Sequence, residues 1–327
     1  MTVTAHEGSL RSVTVTGPDG PVDGTVSADG AHWMAKDSLD FGESYTLTAA
    51  AAGVQGSGAR KLHFSTASAE STATASSVTD DNETVGIGQP VMINFDQPIT
   101  NKRNAQQAIT VSTSPSVEGA FYWVNDSMLR WRPRHYWKPG TKVSVKVNTK
   151  GIDLGGGVYG DNNLTTHFTV GRSLIASADD ATHMITVSVN GKVVKTMPTS
   201  MGKDSTPTNN GTYIVAERDP SVIMDSSTYG VPVGSPGGYR EVVYDATRIS
   251  YSGIYLHSAP WSLGDQGVDD VSNGCLNVSP ENAEWFLQNA LRGDVVTVKN
   301  AVGPILPGDD GLGDWNVPWA VWKKGNA

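Results

Sequence analysis

The sequence predicts a mainly β protein. Two sandwich modules come first, then a longer β-rich domain with one main helix, then a tryptophan-rich tail. Three observations lead there. Short apolar/polar alternations recur through the first half with turn residues between them, the pattern of half-buried strands. Glycine is abundant, 36 of 327 residues, and helical spacing is convincing in one place only. Apolar residues make up 38% and charged residues 17%, which supplies packed cores and argues against a disordered chain.

Residues 1–66 read as a first, Ig-like sandwich. Ser12–Thr16, Tyr45–Thr48 and Lys61–Ser65 alternate, and Gly17-Pro-Asp-Gly20 is a turn between strands. The first residues leave little room for an opening strand, so this module is expected to be trimmed at its N-terminus. Residues 67–81 are rich in Ser, Thr and Ala and read as a linker or a bridging strand. The second Ig-like module, 67–171, carries strands at Val91–Phe95, Ile109–Ser112, Phe121–Val124, Met128–Trp131, Lys142–Val147 and Thr166–Val170. Gly155-x-Gly157-x-x-Gly160 matches a dinucleotide fingerprint but opens no helix, so it reads as a hairpin loop.

Residues 172–300 form the third domain. Met184–Val189, Asn190-Gly191 and Lys192–Lys195 give a two-residue hairpin signal. Ile249–His257 reads as a strand. Ser279 is a helix N-cap, Pro280 suits the first helical position, and Ala283, Phe286, Leu287, Ala290 and Leu291 form an apolar stripe. Arg292-Gly293 ends that helix, and Val295–Val298 returns to strand. Residues 301–327 form a C-terminal subdomain packed on the third domain, with Trp315, Trp319 and Trp322 as anchors rather than sugar platforms.

Charge narrows the function. The net charge is −9, from 24 basic and 33 acidic residues, with no basic stripe, so no nucleic-acid partner is expected. No stretch approaches the roughly 20 apolar residues of a membrane helix, and Met1–Thr4 leads into a strand pattern rather than a signal peptide. A single cysteine, Cys275, forms no internal disulfide. The chain is then either cytosolic or an envelope protein, without its leader, that keeps one thiol for chemistry.

On residues alone Cys275 has two readings. A free thiol packs as a small hydrophobe, or it is retained as a nucleophile. His257 is the upstream imidazole suited to act as its base near neutral pH. Gly274 permits close backbone approach, and the N–H groups of Gly274 and Cys275 are candidate oxyanion donors. Only His183 and His257 lie in this domain, so one Cys with two scattered His lacks metal-ligand spacing, and no metal or other cofactor is expected.

The string His257-x14-Ser272-Asn273-Gly274-Cys275-Leu276-Asn277 resembles the signature of the L,D-transpeptidases, the YkuD-type catalytic domain. Thr199-Ser-Met-Gly202, Thr206-Pro207 and Gly211-Thr-Tyr-Ile214 fit the same family, as do Tyr251-Ser-Gly253, Pro260-Trp261 and Gly311-Leu-Gly-Asp-Trp315. The last three look like the mycobacterial type, in which two Ig-like domains precede the catalytic one. The resemblance implies a peptidoglycan cysteine acyltransferase. Cys275 takes the acyl group of a donor tetrapeptide stem, D-Ala leaves, and the side-chain amine of an acceptor stem receives it, giving a 3-3 cross-link. Carbapenems, a class of β-lactams, acylate this cysteine in the family. The resemblance also implies that His257 is the base and that the Ser258 carbonyl orients it. Ser272 and Asn277 support the substrate side of the cysteine loop. Tyr239 and Trp261 line the cleft, and Met224 and Tyr229 sit in a lid spanning 217–238. An extracytoplasmic place in the cell envelope and a membrane anchor upstream of this chain follow from the same likeness.

One position departs from the pattern. Asn273 stands where the family usually has a second histidine, and an amide takes up no proton at neutral pH. Two other functions stay open: an L,D-carboxypeptidase, in which water replaces the acceptor amine, and a wall-binding protein with a site attenuated by Asn273.

Overall fold

A computed structural model gives the conformation of residues 1–327 apart from Gln55 and the side chain of Tyr229. Strands dominate, as the sequence predicts. The chain divides into two compact units. One comprises Met1–Ala75, Phe95–Ile109 and Val147–Leu164, the other Ser76–Asn94, Thr110–Lys146 and Thr165–Ala327.

In the first unit, the predicted strands lie within Gly8–Gly17, Ser44–Gly53 and Gly56–Ser65, which pair antiparallel. A second sheet joins Thr2–Thr4, His32–Ala35 and Gly24–Val26. Between the sheets Val15, Tyr45 and Leu47 meet Trp33 and Ala35. An opening strand therefore exists where the sequence left little room for one. Three residues suffice because Thr2–Thr4 lies along His32–Ala35 and sets Val3 against that core. Within 67–81, Ser71–Ala73 and Ala75–Ser77 are bridging strands, the first parallel to Val158–Gly160. Asp153–Gly155 and Val158–Gly160 pair antiparallel about Gly156 and Gly157, so the glycine run is a hairpin and opens no helix. The six-residue helix Lys102–Gln107 has no apolar stripe in sequence, and Asn101 caps it by accepting from the Asn104 N–H.

In the second unit, the second sandwich combines Glu83–Val85, Asn163–Val170, Lys142–Asn148 and Ile109–Ser114 in one sheet. The other holds Gly119–Trp123, Met128–Pro133, Val91–Phe95 and Ala75–Ser77. The third domain has a five-stranded sheet in the order Lys192–Pro198, Met184–Val189, Leu174–Asp179, Val295–Lys299, Gly211–Ile214. A four-stranded sheet in the order Arg218–Asp225, Arg240–Arg248, Tyr255–Ser258, Leu276–Val278 carries the functional region. Asn190 and Gly191 both take positive φ (49° and 79°), as the predicted tight hairpin requires.

Two expectations in this domain need correction. Ile249–His257 is not one strand: Arg240–Arg248 precedes a turn at 250–253, and only Tyr255–Ser258 continues as strand. The Ser250 hydroxyl accepts from the Ile254 N–H (3.2 Å), and Gly253 turns the chain at φ 98°. The helix begins as expected, at Pro280 with Ser279 accepting from the Asn282 N–H, but it ends at Asn289. Asp294 takes the Leu291 N–H (2.7 Å), which draws Leu291 out of the helical stripe. Ala283 and Phe286 supply the buried face, packed on the functional sheet.

Within the second unit the tail ties the second sandwich to the third domain. Trp315 Nε1 donates to the Gly88 carbonyl and Trp322 Nε1 to that of Ala120, each at 2.8 Å. Asn316 closes on Thr212 through both its amide groups. Arg132, 2% exposed, lies 4.6 Å from the Trp315 ring and 4.3 Å from that of Trp322, and it donates to the Val317 carbonyl. Burial pushes the Asp314 carboxyl up to about 6, with Arg130 and Arg132 opposing that shift. At the same seam the Gly86 N–H donates to Arg292 O, and a Cβ on Gly86 would sit 2.2 Å from the Asp294 nitrogen, so only glycine fits. Arg132→Ala removes one of the two buried cations near this acid, Arg130 being the other, and leaves the indoles without their filling. A loss of about 2–5 kcal/mol is expected from the emptied site between the rings, read as a lower unfolding midpoint; an unchanged midpoint would refute the seam's role.

Candidate active site

Strand register brings His257 and Cys275 to the same cavity. Tyr255–Ser258 and Leu276–Val278 run parallel, with His257 opposite Asn277. Cys275 lies two residues before Asn277, and a spacing of two returns a side chain to the same face. Both line one cavity of about 110 Å³, together with Met224, Tyr239, Trp261, Ser272, Asn273 and Asn277.

The cysteine loop is held from inside by Ser272. Its hydroxyl donates to the Cys275 carbonyl (2.7 Å) and accepts from the Gly274 N–H (3.0 Å). That N–H, expected as half of an oxyanion pair, is therefore engaged within the loop. Gly274 adopts φ 121°, which side-chain-bearing residues rarely take. The nearest atom to a Cβ added there would be 3.9 Å away, so Gly274→Ala tests backbone strain without a clash. A cost of about 1–2 kcal/mol and slower alkylation of the thiol are expected; wild-type kinetics would show that the loop tolerates another φ.

A second segment, 199–208, holds the loop from outside. The Thr208 hydroxyl donates to the Gly274 carbonyl (2.9 Å) and accepts from the Gly202 N–H (2.9 Å). The Ser272 N–H donates to Met201 O, and the Lys203 N–H returns to Ser272 O. Ser200 and Asn277 exchange two backbone bonds at 3.0 Å each. Asn277 also donates from Nδ2 to Ser262 Oγ (3.2 Å), while its buried Oδ1 has no hydrogen-bond partner among the described residues. The motif Thr199–Gly202 and Thr206-Pro207 was legible, but its work as a brace was not, because spacing says nothing of bonds spanning some seventy residues. Asn273 is exposed, and its Oδ1 accepts from Lys203 Nζ at 2.8 Å.

The electrostatics favour a neutral pair at rest. Burial pushes the Cys275 thiol up to about 11, opposed by a backbone hydrogen bond at Tyr255. The thiol donates weakly to the Gly253 carbonyl (3.7 Å). Burial also holds the His257 imidazole below its ordinary value, opposed by its bond to Ser258. His257 Nδ1 lies 3.0 Å from the Ser258 carbonyl, which only accepts, so the neutral ring carries its proton there. Nε2 then keeps its lone pair to take a proton. A thiol and an imidazole with a free lone pair lining one cavity are the components that nucleophilic catalysis needs.

Trp261 is 55% exposed, and its ring centroid lies 6.0 Å from that of His257, so it forms an open wall. Met224 packs in a cluster with Val243, Tyr255 and Cys275. The Tyr239 N–H and carbonyl both bond to Ser226. The side chain of Tyr229 lies outside the described residues. The 217–238 segment is the first strand and tip of a hairpin, since Arg218–Asp225 pairs with Arg240–Arg248. Glu241 and Val243 on that hairpin also line the cavity, and neither was foreseen.

Residues 1–153 match the Bacterial Ig domain family and residues 174–298 the L,D-transpeptidase catalytic domain. The chain is 55% identical to L,D-transpeptidase 2 of Mycobacterium tuberculosis over 328 aligned positions, covering 100% of this chain and 80% of that protein. It is 32% identical to L,D-transpeptidase 5 of the same organism, covering 100% and 73% respectively. Among solved structures, LD transpeptidase LdtMt1 in complex with imipenem superposes at a TM-score of 0.61 with 39% identity, over 68% of this chain and 97% of that one. L,D-transpeptidase 3 of M. tuberculosis with a faropenem-derived adduct superposes at 0.59 with 34% identity, over 69% and 97%. The chain belongs to the L,D-transpeptidase family.

Proposed function

We propose that this member of the family joins the third residues of two peptidoglycan stem peptides through a thioester on Cys275. The observation that carries the reading is the pairing in one cavity of the single thiol with a histidine whose Nδ1 is tied to Ser258. As sulfur attacks the carbonyl of the donor's third residue, His257 Nε2 takes the thiol proton. That proton passes to the amine of the departing D-Ala, and the acyl group stays on sulfur. The acceptor's side-chain amine then attacks the thioester, its proton goes to His257, and the thiol is restored. A neutral pair at rest suits this order, because charge develops only as the bond forms.

Trp261, Tyr239 and Met224 give the cavity apolar walls suited to a peptide stem. The complexes of relatives with imipenem and with a faropenem-derived adduct support acylation of Cys275 by carbapenems through opening of the β-lactam ring. The reaction belongs in the cell envelope, outside the cytoplasmic membrane, with the Ig-like modules as spacers from an upstream anchor. The test is a tetrapeptide stem incubated with and without an acceptor stem. Cross-linked dimer with release of D-Ala is expected. Tripeptide alone would identify an L,D-carboxypeptidase, and neither product would leave a wall-binding protein.

A further inference from the structure

We infer that Lys203 is a positioning residue for this site: it fixes the Asn273 amide so that its NH2 group, not its oxygen, faces the cavity. The inference rests on the acyl-transfer reading above and adds a residue that reading does not use.

A lysine ammonium only donates hydrogen bonds. An amide that receives one from it must turn its oxygen toward it. Lys203 Nζ lies 2.8 Å from Asn273 Oδ1, so the orientation of this amide follows from chemistry. Asn273 lines the cavity beside Cys275, whereas Lys203 is not among the lining residues. Lys203 therefore acts through its neighbour. Its backbone is bound to the same loop: the Lys203 N–H donates to Ser272 O (3.1 Å) and its carbonyl accepts from the Thr206 N–H (2.8 Å). The Thr206 hydroxyl returns to Ser272 O (3.3 Å). The lysine thus starts from a fixed base although its side chain is exposed.

The consequence concerns what Asn273 offers a ligand. With its oxygen turned to Lys203, Asn273 directs its NH2 donors to the cavity. It serves an acyl oxygen that gains negative charge, or a carboxylate of the stem. It cannot receive the thiol proton, which leaves that task to His257. The Gly274 N–H is already bonded to Ser272, so a side-chain donor here takes the place of that one of the two expected backbone donors. An exposed contact of this kind contributes little to stability, so its removal should alter rate rather than folding.

The experiment measures acylation of the full chain by a carapenem-class β-lactam, followed by intact mass, with limiting rate and apparent affinity separated. Lys203→Glu places an acceptor at the amide and turns its oxygen into the cavity; a fall of about a hundred- to a thousandfold in limiting rate is expected, as for loss of an oxyanion donor. Lys203→Arg, which also only donates, should stay within about threefold of wild type. Asn273→Asp keeps the lysine contact but presents no donor, and should fall like Lys203→Glu. In an Asn273→Ala background, Lys203→Glu should have no further effect. The inference is overturned if Lys203→Glu reacts at the wild-type rate, or if its loss is as large without Asn273. A wild-type protein that takes no adduct would overturn the acyl-transfer reading, and this role with it.

Discussion

Cys275→Ala is expected to abolish the covalent adduct that a carbapenem leaves on the wild-type protein, a loss of about a thousandfold or more in acylation. The reason is exclusivity: the chain has one cysteine, and it lines the cavity with His257. Intact-mass spectrometry reads the result directly. Equal adduct on wild type and Cys275→Ala would place the reaction elsewhere. The same variant tests the cost of the buried thiol. The Cys275 thiol stands near 9 when unfolded and at about 11 in the fold, so its contribution to stability is complete below 9 and is lost as pH rises toward 11. The difference in unfolding midpoint between wild type and Cys275→Ala should therefore change with pH in that alkaline window and be level below it.

His257→Gln should slow acylation by about 10²- to 10⁴-fold, the usual worth of a positioned base. Glutamine is polar and of similar size but offers no proton acceptor at neutral pH. The pH profile separates this from a packing effect. Wild-type acylation should rise through the depressed histidine value, below 6.5, and then level off through neutrality. Without the base, rate should follow the thiolate alone and climb steadily toward about 11. A variant that kept the low-pH limb would show that another group takes the proton. Linkage adds a second signature. Because the fold lowers the value of His257, its contribution to stability is present above 6.5 and lost as pH falls through the folded value.

Much of this protein was legible in its sequence where local chemistry decides the conformation. Asn190-Gly191 can turn only one way between alternating strands, and Ser279-Pro280 starts a helix whatever surrounds it. The segment 249–257 misled because its apolar residues continue across a turn made by Ser250 and Gly253. The hairpin strand Arg218–Asp225 lacks a strand signature, since it carries Pro220 and lies at a sheet edge, where one missing N–H is tolerated. Cys275 and His257 stood out by type and spacing. Lys203 and Thr208 did not, because they act through bonds to residues 66 to 70 positions away. The fate of the Gly274 N–H was hidden for the opposite reason: a serine two residues earlier claims it.

The tryptophan-lined seat of Arg132 has a consequence for the timing of folding. Its partner Val317 lies 185 positions downstream, and the bond from Trp322 to Ala120 spans 202. A chain made from its N-terminus exposes the edge of the second sandwich, with Arg132 unseated, for the whole interval in which the third domain is produced. Contacts of such long range close late and slowly. The seam is thus a checkpoint on completeness, since truncated or stalled chains carry an open, sticky edge for chaperones and proteases to find.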